Sequence, residues 1–178
     1  ICEREAGLEN SSMDAETLRA VLERLADSVR SKSSGTGPIT GNDLADAYTL
    51  ETAQSAGEGV LAQLQRLPGL TQRDSEPGTR SFVDYDMLGA LQGGAFARQV
   101  LTGFLNASLV PLSELSEKAV AMAGFVLREK QATPETLIGV AEQLQHRAQK
   151  DRVAPQLIAD CVSVAIQMAI VLAGCLNK

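Results

Sequence analysis

The chain is poor in aromatic residues: its 178 residues include no Trp, two Tyr and four Phe. Because 44% of the residues are nevertheless hydrophobic, the core must be built from Leu, Val, Ile and Ala. These side chains suit packed helices better than a large β-sandwich, whose strands favour aromatic and β-branched residues. A chain of this length can bury a full core, as one domain or as two small ones. We therefore predict a mainly α-helical fold.

Cysteine is also scarce. The three cysteines are Cys2, Cys161 and Cys175, and no two of them have CxxC spacing. An odd number of widely spaced cysteines argues against a disulfide framework and against a zinc site. Cys161 and Cys175 lie in an apolar helical run, where a thiol packs as a small hydrophobe. We expect structural roles for them in a reducing compartment, most simply the cytoplasm.

We expect no signal peptide, since residues 3–5 are Glu, Arg and Glu instead of a basic patch before an apolar run. The most apolar stretch, 161–176, contains Ser163 and Gln167 and is shorter than the ~20 residues of a membrane span. We expect it to be a buried core helix and expect no membrane span. The start at Ile1 without a Met, and the end soon after an apolar helix, suggest a piece of a longer protein.

The first segment has the pattern of an amphipathic helix over 14–31, with Asp14 as its N-cap. The apolar residues at helical spacing are Leu18, Val21, Leu22, Leu25 and Val29. Residues 31–38 are rich in Ser and Gly and predict a flexible linker. Walker A needs GxxxxGK[ST], and no Lys follows Gly41, so this loop is not a phosphate cradle. We assign 1–38 to a helical lead-in and linker.

Residues 39–87 have the element order of a winged helix. Thr40 and Asp43 have capping-box spacing and predict a short helix over 41–48. A second helix over 51–67 follows from an apolar face formed by Ala56, Val60, Leu61, Leu64 and Leu67. Two strand-like runs, 70–73 and 80–83, flank a segment rich in turn-forming residues. We predict a winged-helix module whose first helix is the preceding segment.

Residues 88–178 are predicted to be an antiparallel helical bundle. A helix over 85–105 contains Gly93 and Gly94, which are expected to kink or break it. Prolines, which suit the first position of a helix, open three further apolar runs at 111–130, 134–150 and 155–176. Thr133 caps the second of these runs. Helices of similar length that are joined by short loops pack antiparallel.

The charge of the predicted winged helix argues against DNA as its partner. Residues 39–87 hold eight acids and three arginines, which leaves −5 of the chain's total of −6. DNA affinity comes mainly from Lys and Arg, and recognition helices contact bases from their N-terminal half. The predicted recognition helix carries Glu51 and Glu58 before its first cation, Arg66. We expect this module to bind protein, with Glu51, Glu58, Asp84 and Asp86 as interaction residues.

Candidate catalytic chemistry is sparse. His146 is the only histidine, lies off the apolar stripe of its helix, and has no G-x-S-x-G nucleophile elbow to serve. Asp84 and Asp86 could act in acid–base chemistry or hold a metal. At the start of a helix, two acids more often serve as a cap and a favourable dipole contact. Met87 and Met122 are expected in the core. We predict no catalytic, cofactor or metal site in this chain.

The order of these parts resembles the region that follows the nucleotide-binding core in STAND-class ATPases of the NACHT and NB-ARC type. The resemblance covers roughly 1–104 and rests on ICERE at 1–5, the first helix, the winged helix, and RSFVDYDML at 80–88. It implies that a small helical piece and a regulatory winged helix pack on an ATPase core. That winged helix holds the core closed and swings on activation, allowing oligomerisation.

Two departures from the family pattern matter. Walker A and Walker B are absent from this chain, and 39–87 contains no His, although the family's winged helix often offers one to the nucleotide phosphate. We therefore expect no direct nucleotide contact and no cofactor here.

Three hypotheses follow. The leading one is a non-catalytic regulatory segment of a larger STAND-type signalling ATPase, whose partner is its own core or other subunits. The alternative is a winged-helix DNA-binding transcriptional regulator with a helical dimerisation domain. The third is an adaptor that forms homo-oligomers through helices 111–176, with Ile166 and Ile170 of the last helix in the contact.

Overall fold

The computed structural model describes residues 13–32, 35–67, 69–73, 76–103, 113–148 and 155–176. Over these ranges the predicted mainly α fold is confirmed, with a small antiparallel sheet. The elements are α1 (Ala15–Lys32), α2 (Gly41–Thr52), α3 (Glu58–Leu64), β1 (Leu70–Gln72), β2 (Arg80–Phe82), α4 (Tyr85–Leu101), α5 (Glu117–Glu129), α6 (Pro134–Ala148) and α7 (Pro155–Leu176). The chain divides into a first unit, Ile1–Val29 with Ser34–Leu88, and a second unit, Arg30–Ser33 with Gly89–Lys178.

Helix α1 begins where the sequence predicts. The Asp14 carboxylate accepts a hydrogen bond from the backbone N–H of Thr17 at 2.7 Å, which satisfies a donor that the first turn leaves without a partner. That hydrogen bond also lowers the pKa of Asp14 below its ordinary value. The predicted apolar stripe is fully buried: Leu18, Val21, Leu22, Leu25 and Val29. This stripe makes α1 a core helix of the first unit.

The predicted capping box opens α2. The Thr40 hydroxyl accepts from the backbone N–H of Asp43 at 3.2 Å, and the Asp43 carboxylate accepts from the backbone N–H of Thr40 at 2.8 Å. Leu44, Ala47 and Tyr48 are buried on its inner face. The cap therefore fixes both the start of the helix and the face that it buries.

Replacing Thr40 with alanine removes the hydroxyl that accepts from Asp43 and is expected to lower the free energy of unfolding by about 1 kcal/mol. Urea unfolding followed by far-UV circular dichroism measures the loss. Thr40→Ser keeps the acceptor and should stay within a few tenths of a kcal/mol of the parent. An equal loss in both variants would contradict the capping role.

The predicted boundary between the next two helices is wrong. Helix α2 continues to Thr52 instead of ending at 48, and it closes at Ala53, whose φ of 57° is left-handed. The hydroxyls of Thr49 and Thr52 donate to carbonyls one turn earlier, which satisfies these polar side chains within the helix. As a result, the helix predicted over 51–67 spans only Glu58–Leu64 as α3.

The hairpin lies where it was predicted. Strands β1 and β2 pair antiparallel, with Leu70 opposite Phe82. Ile39 forms a further antiparallel bridge with Arg80, through hydrogen bonds of 2.7 and 2.8 Å. Phe82 also donates its backbone N–H to the carbonyl of Thr36 at 2.8 Å. The end of the predicted linker is thus hydrogen-bonded to β2.

In the second unit, α7 packs against both α5 and α6, which confirms a bundle-like packing. Its core is mostly aliphatic and includes Leu127, Leu137, Val164 and Met168, with Phe96 as an aromatic member. Pro134 and Pro155 open α6 and α7 as predicted. The backbone N–H of Thr136 donates to the hydroxyl of Thr133 at 3.4 Å, in agreement with the predicted cap.

The predicted start of α5 at Pro111 is wrong, although Pro111 itself lies outside the described residues. The helix begins at Glu117, after Ser116, whose hydroxyl accepts from the backbone N–H of Ala119 at 3.2 Å. Just before this cap, the backbone of Ser113 and Leu115 is hydrogen-bonded to side chains of other elements. Those bonds favour an irregular segment there over an earlier helical turn.

Of the kink or break predicted at Gly93 and Gly94, the break is wrong, because α4 continues as an α-helix through both residues. The reason for Gly93 lies in packing. A Cβ atom at this position would collide with the carbonyl of Ala119 and approach the Cβ of Met122 to 2.8 Å. Glycine at this position allows α4 and α5 to approach each other closely.

Candidate protein-binding surfaces and a buried ion pair

The four acids expected at an interface play different parts in the first unit. Glu51 lies near the end of α2, and its carboxylate accepts from the guanidinium of Arg24 at 2.8 Å. The two side chains are only 12% and 16% exposed. Glu51 therefore balances an internal cation, and its charge is less available to a partner than the sequence suggests.

Of the two glutamates expected at the interface, Glu58 is the exposed one. It is exposed in the first turn of α3, and the preceding residue, Gly57, supplies no side-chain cap. A carboxylate there interacts favourably with the positive end of the helix dipole. Helix α3 contains no Lys or Arg, so Glu58 is its only charged side chain.

Asp84 and Asp86 flank the start of α4 and are both exposed. The carboxylate of Asp84 accepts from the backbone N–H of Met87 at 2.6 Å, so the predicted capping role is confirmed. Met87 is half-buried and lies against Gly69, whose φ of 112° is accessible mainly to glycine. The cap fixes the exposed Asp84 at the start of α4, shortly after β2 of the hairpin.

The three arginines of residues 39–87 do not offset this acidity at one place. Arg80 on β2 donates its Nε to the backbone carbonyl of Gln65 at 3.0 Å and is half-buried. Arg66, just after α3, is exposed, and Arg73 is half-buried after β1. The cations are spread along the chain, two of them partly withdrawn from solvent, whereas Glu58, Asp84 and Asp86 are exposed.

A buried ion pair that sequence analysis missed lies in the second unit. Arg30 and Asp160 pair directly, with both side chains 2% exposed. The Nε of Arg30 also donates to the carbonyl of Ser113 at 2.9 Å, and the other carboxylate oxygen of Asp160 accepts from the backbone N–H of Leu115 at 2.8 Å. One charge pair therefore joins the end of α1, the segment before α5, and α7.

The electrostatics of Asp160 reflect two opposing effects. Burial raises the pKa of this carboxyl above its ordinary value, whereas the charge of Arg30 and the N–H of Leu115 lower it. One signal of this pair is visible in the sequence, an acid at the edge of the longest apolar run. No signal points to the partner, because 130 positions separate the two residues.

The remaining reactive groups have structural surroundings. Cys161 is fully buried in the core of the second unit, and burial raises the pKa of its thiol to about 12. It therefore packs as a small hydrophobe, as predicted. His146 is exposed on α6, off the apolar stripe. Within the described ranges, no three potential metal ligands from His, Cys, Asp and Glu cluster together.

The outer face of α7 differs from the prediction of a buried helix. Val162, Ile166, Ile170 and Leu172 are 38%, 55%, 60% and 44% exposed. By length and composition alone, Pro155–Gly174 could cross a membrane, with a mean hydropathy of 2.1 and 33% of the window buried. However, one face of the same helix forms the core of the second unit. The helix is therefore buried on one face only, instead of on all sides as predicted.

Comparison with known proteins adds no constraint: no protein-family model, curated protein or solved structure matches this chain. The resemblance to STAND-class ATPases therefore rests on the residues and element order alone and stays a prediction.

Proposed function

We propose that this chain is a non-catalytic regulatory segment of a larger STAND-type signalling ATPase, located in the cytoplasm, and that its first unit is a winged helix that binds protein. The element order supports the winged helix: α1, the bridging residue Ile39, α2, α3, then the β1–β2 hairpin. In this arrangement Ile39 supplies the short third strand beside the hairpin.

The single observation that carries the protein-binding role is the charge of α3. This helix would be the recognition helix, yet it begins with the exposed Glu58 and holds no cation. Phosphate contacts from Lys and Arg supply most DNA affinity. The exposed acids instead complement a basic protein surface, such as one on the ATPase core. The alternative, a DNA-binding regulator, gains no support from the described residues.

A binding experiment with the nucleotide-binding core tests this proposal. We expect the coding sequence upstream of Ile1 to encode that core, with a Walker A motif. The encoded nucleotide-binding core, made separately, is titrated with this chain by calorimetry at low and high salt. Binding should weaken as salt rises, because contacts between exposed charges are screened. Absence of the motif, or no binding at low salt, would contradict the proposal.

Charge reversal locates the surface. Glu58→Lys is expected to weaken binding of the core several-fold, since a like charge would then face the basic partner. Glu142→Lys is the matched control, because Glu142 is exposed on α6 in the other unit and its reversal changes the net charge equally. Equal weakening by both variants would mean that net charge acts without a defined surface. A stable complex of the parent chain with duplex DNA in the presence of competitor would favour the alternative function.

A further inference from the structure

Part of the exposed face of α7 has a pattern that reads nearly the same in both directions from Ile166; the exposed Leu172 lies outside this pattern, because its mirror position is the buried Asp160. Four residues away on either side are Val162 and Ile170, and seven residues away are Ala159 and Ala173. At about 100° per residue, the first pair lies about 40° to either side of Ile166 and the second pair about 20°. These five residues, which we call the α7 stripe, therefore form one straight band centred on Ile166.

The α7 stripe lies opposite the buried face of its own helix. Ile166 and Ile170 are 55% and 60% exposed, whereas Val164 and Met168, on the other side of the helix, are at most 1% exposed. Four of the five stripe residues, Val162, Ile166, Ile170 and Ala173, are thus exposed, and Ala159 is half-buried.

We infer that the α7 stripe is a self-association surface, on which a second copy of this chain docks antiparallel about a two-fold axis at Ile166. A two-fold interface requires a self-complementary patch, in which residue i meets j and j meets i. Antiparallel pairing centred on Ile166 places Val162 against the partner's Ile170 and Ala159 against the partner's Ala173. The large side chains meet at the centre and the small ones meet at the ends, so the helices can approach along the whole stripe.

The charge pattern also favours a second copy. Asp160 is the only charged residue in Pro155–Leu176, and it lies about 120° from Ile166 around the helix, buried and paired with Arg30. No like charges would therefore meet across the two-fold axis. A strongly charged partner, by contrast, would find no complementary group on this face.

The size of the stripe sets the expected strength. A standard interface buries about 800 Å² per partner, and one helix face with three large side chains offers less. We expect a weak, reversible dimer that forms as concentration rises. The net charge of −6 opposes association at low salt, so added salt should strengthen the dimer. This inference rests on α7 and not on the proposed function. The two can be told apart, because the proposed binding of the ATPase core should weaken as salt rises.

Sedimentation velocity from about 1 μM to about 1 mM covers the affinities of weak interfaces. The parent chain should shift from monomer toward dimer over this range. Ile166→Asp should remain monomeric throughout, because the two-fold axis would bring two carboxylates together. Leu50→Asp is the matched control and should dimerise like the parent, since Leu50 is 61% exposed in the first unit. A monomeric parent at the highest concentration would overturn the inference.

Crosslinking tests the geometry. In a background with Cys2→Ser and Cys175→Ser, Ile166→Cys should form a disulfide-linked dimer under mild oxidation, because the two-fold axis brings the two Cβ atoms close. Leu50→Cys should not. A dimer without the crosslink at 166 would contradict the axis.

Flotation with phosphatidylcholine vesicles tests whether the apolar stripe binds a lipid surface instead of a second copy. We expect the chain to stay in the soluble fraction. If the parent floats with the vesicles and Ile166→Asp does not, the stripe binds a lipid surface and the inference is overturned. Far-UV circular dichroism verifies that each variant is as helical as the parent.

Discussion

Replacing Arg30 with methionine is expected to lower the free energy of unfolding by about 3–5 kcal/mol at neutral pH. The substitution keeps much of the aliphatic volume but removes the guanidinium that pairs with Asp160 and donates to the carbonyl of Ser113. The Asp160 carboxylate would then stay buried. Of its two hydrogen bonds, from Arg30 and from the backbone N–H of Leu115, only the second would remain. A loss of this size is large against the total stability of a small protein, about 5–15 kcal/mol.

The pH dependence of this loss identifies its cause. In the parent, the charge of Arg30 lowers the pKa of Asp160 against the effect of burial. Without Arg30 the pKa of the folded-state carboxyl rises further above its unfolded value, so the folded variant binds a proton more readily than the unfolded chain. Its stability is then highest below the unfolded pKa and falls as pH rises through the folded one. The loss caused by Arg30→Met should therefore shrink between about pH 7 and about pH 4.5.

Urea unfolding at each pH, with hydrogen exchange of the α7 amides to report on the second unit, measures the effect. The double variant Arg30→Met with Asp160→Leu is the decisive comparison, because it removes both charges and leaves an apolar pair. We expect it to recover most of the stability that the single variant loses, since a buried ion pair can often be replaced by hydrophobic residues without cost. A double variant as unstable as Arg30→Met would show that the lost packing of Arg30, and not the unpaired charge, causes the effect.

Replacing Gly93 with alanine is expected to destabilise the chain by about 2 kcal/mol or more, although alanine is the better helix former. The added methyl group would overlap the carbonyl of Ala119 and lie 3.0 Å from the backbone nitrogen of Ala123. Both contacts are with backbone, which cannot move aside as a flexible side chain could. Helices α4 and α5 would have to separate, with loss of packing around the buried Ala119 and Ala123.

Gly139→Ala is the matched control for this prediction. Gly139 lies inside α6, and a Cβ atom there meets nothing within 4 Å. The same substitution should therefore stabilise the chain by about 0.5–1 kcal/mol through helix propensity alone. Urea unfolding compares the two variants directly. If Gly93→Ala were as stabilising as Gly139→Ala, the close approach of α4 and α5 would be contradicted.

The elements that follow from local chemistry could be predicted from the sequence. The N-caps at Asp14, Thr40, Asp84 and Thr133 are side-chain contacts to backbone within three residues, so their spacing is visible in the chain. The turn-rich segment between two short strand-like runs likewise predicted the β1–β2 hairpin. Where one feature of the local sequence dominated, the predicted boundary agreed with the structure within a few residues.

The boundaries that failed were those where local signals competed. The glycine pair in α4 suggested a break because glycine weakens an isolated helix. In the fold that cost is outweighed by the packing that the absence of a side chain allows. The apolar pattern over 51–67 correctly predicted that Leu64 and Leu67 are buried. It did not predict that α2 ends at the left-handed Ala53, which divides the segment between two helices. Periodicity predicts which residues are buried better than it predicts where a helix begins.

The acids also separate what the sequence alone determines from what only the tertiary structure decides. The sequence alone determined that the first unit is acidic and that Asp84 caps a helix, because both are matters of composition and local spacing. Only the tertiary structure decided that Glu51 is paired with Arg24, and that Asp160 is buried against Arg30, because those partners lie 27 and 130 positions away. The same holds for α7: the run of apolar residues predicts a helix, but packing against α5 and α6 decided which face is core and which remains exposed.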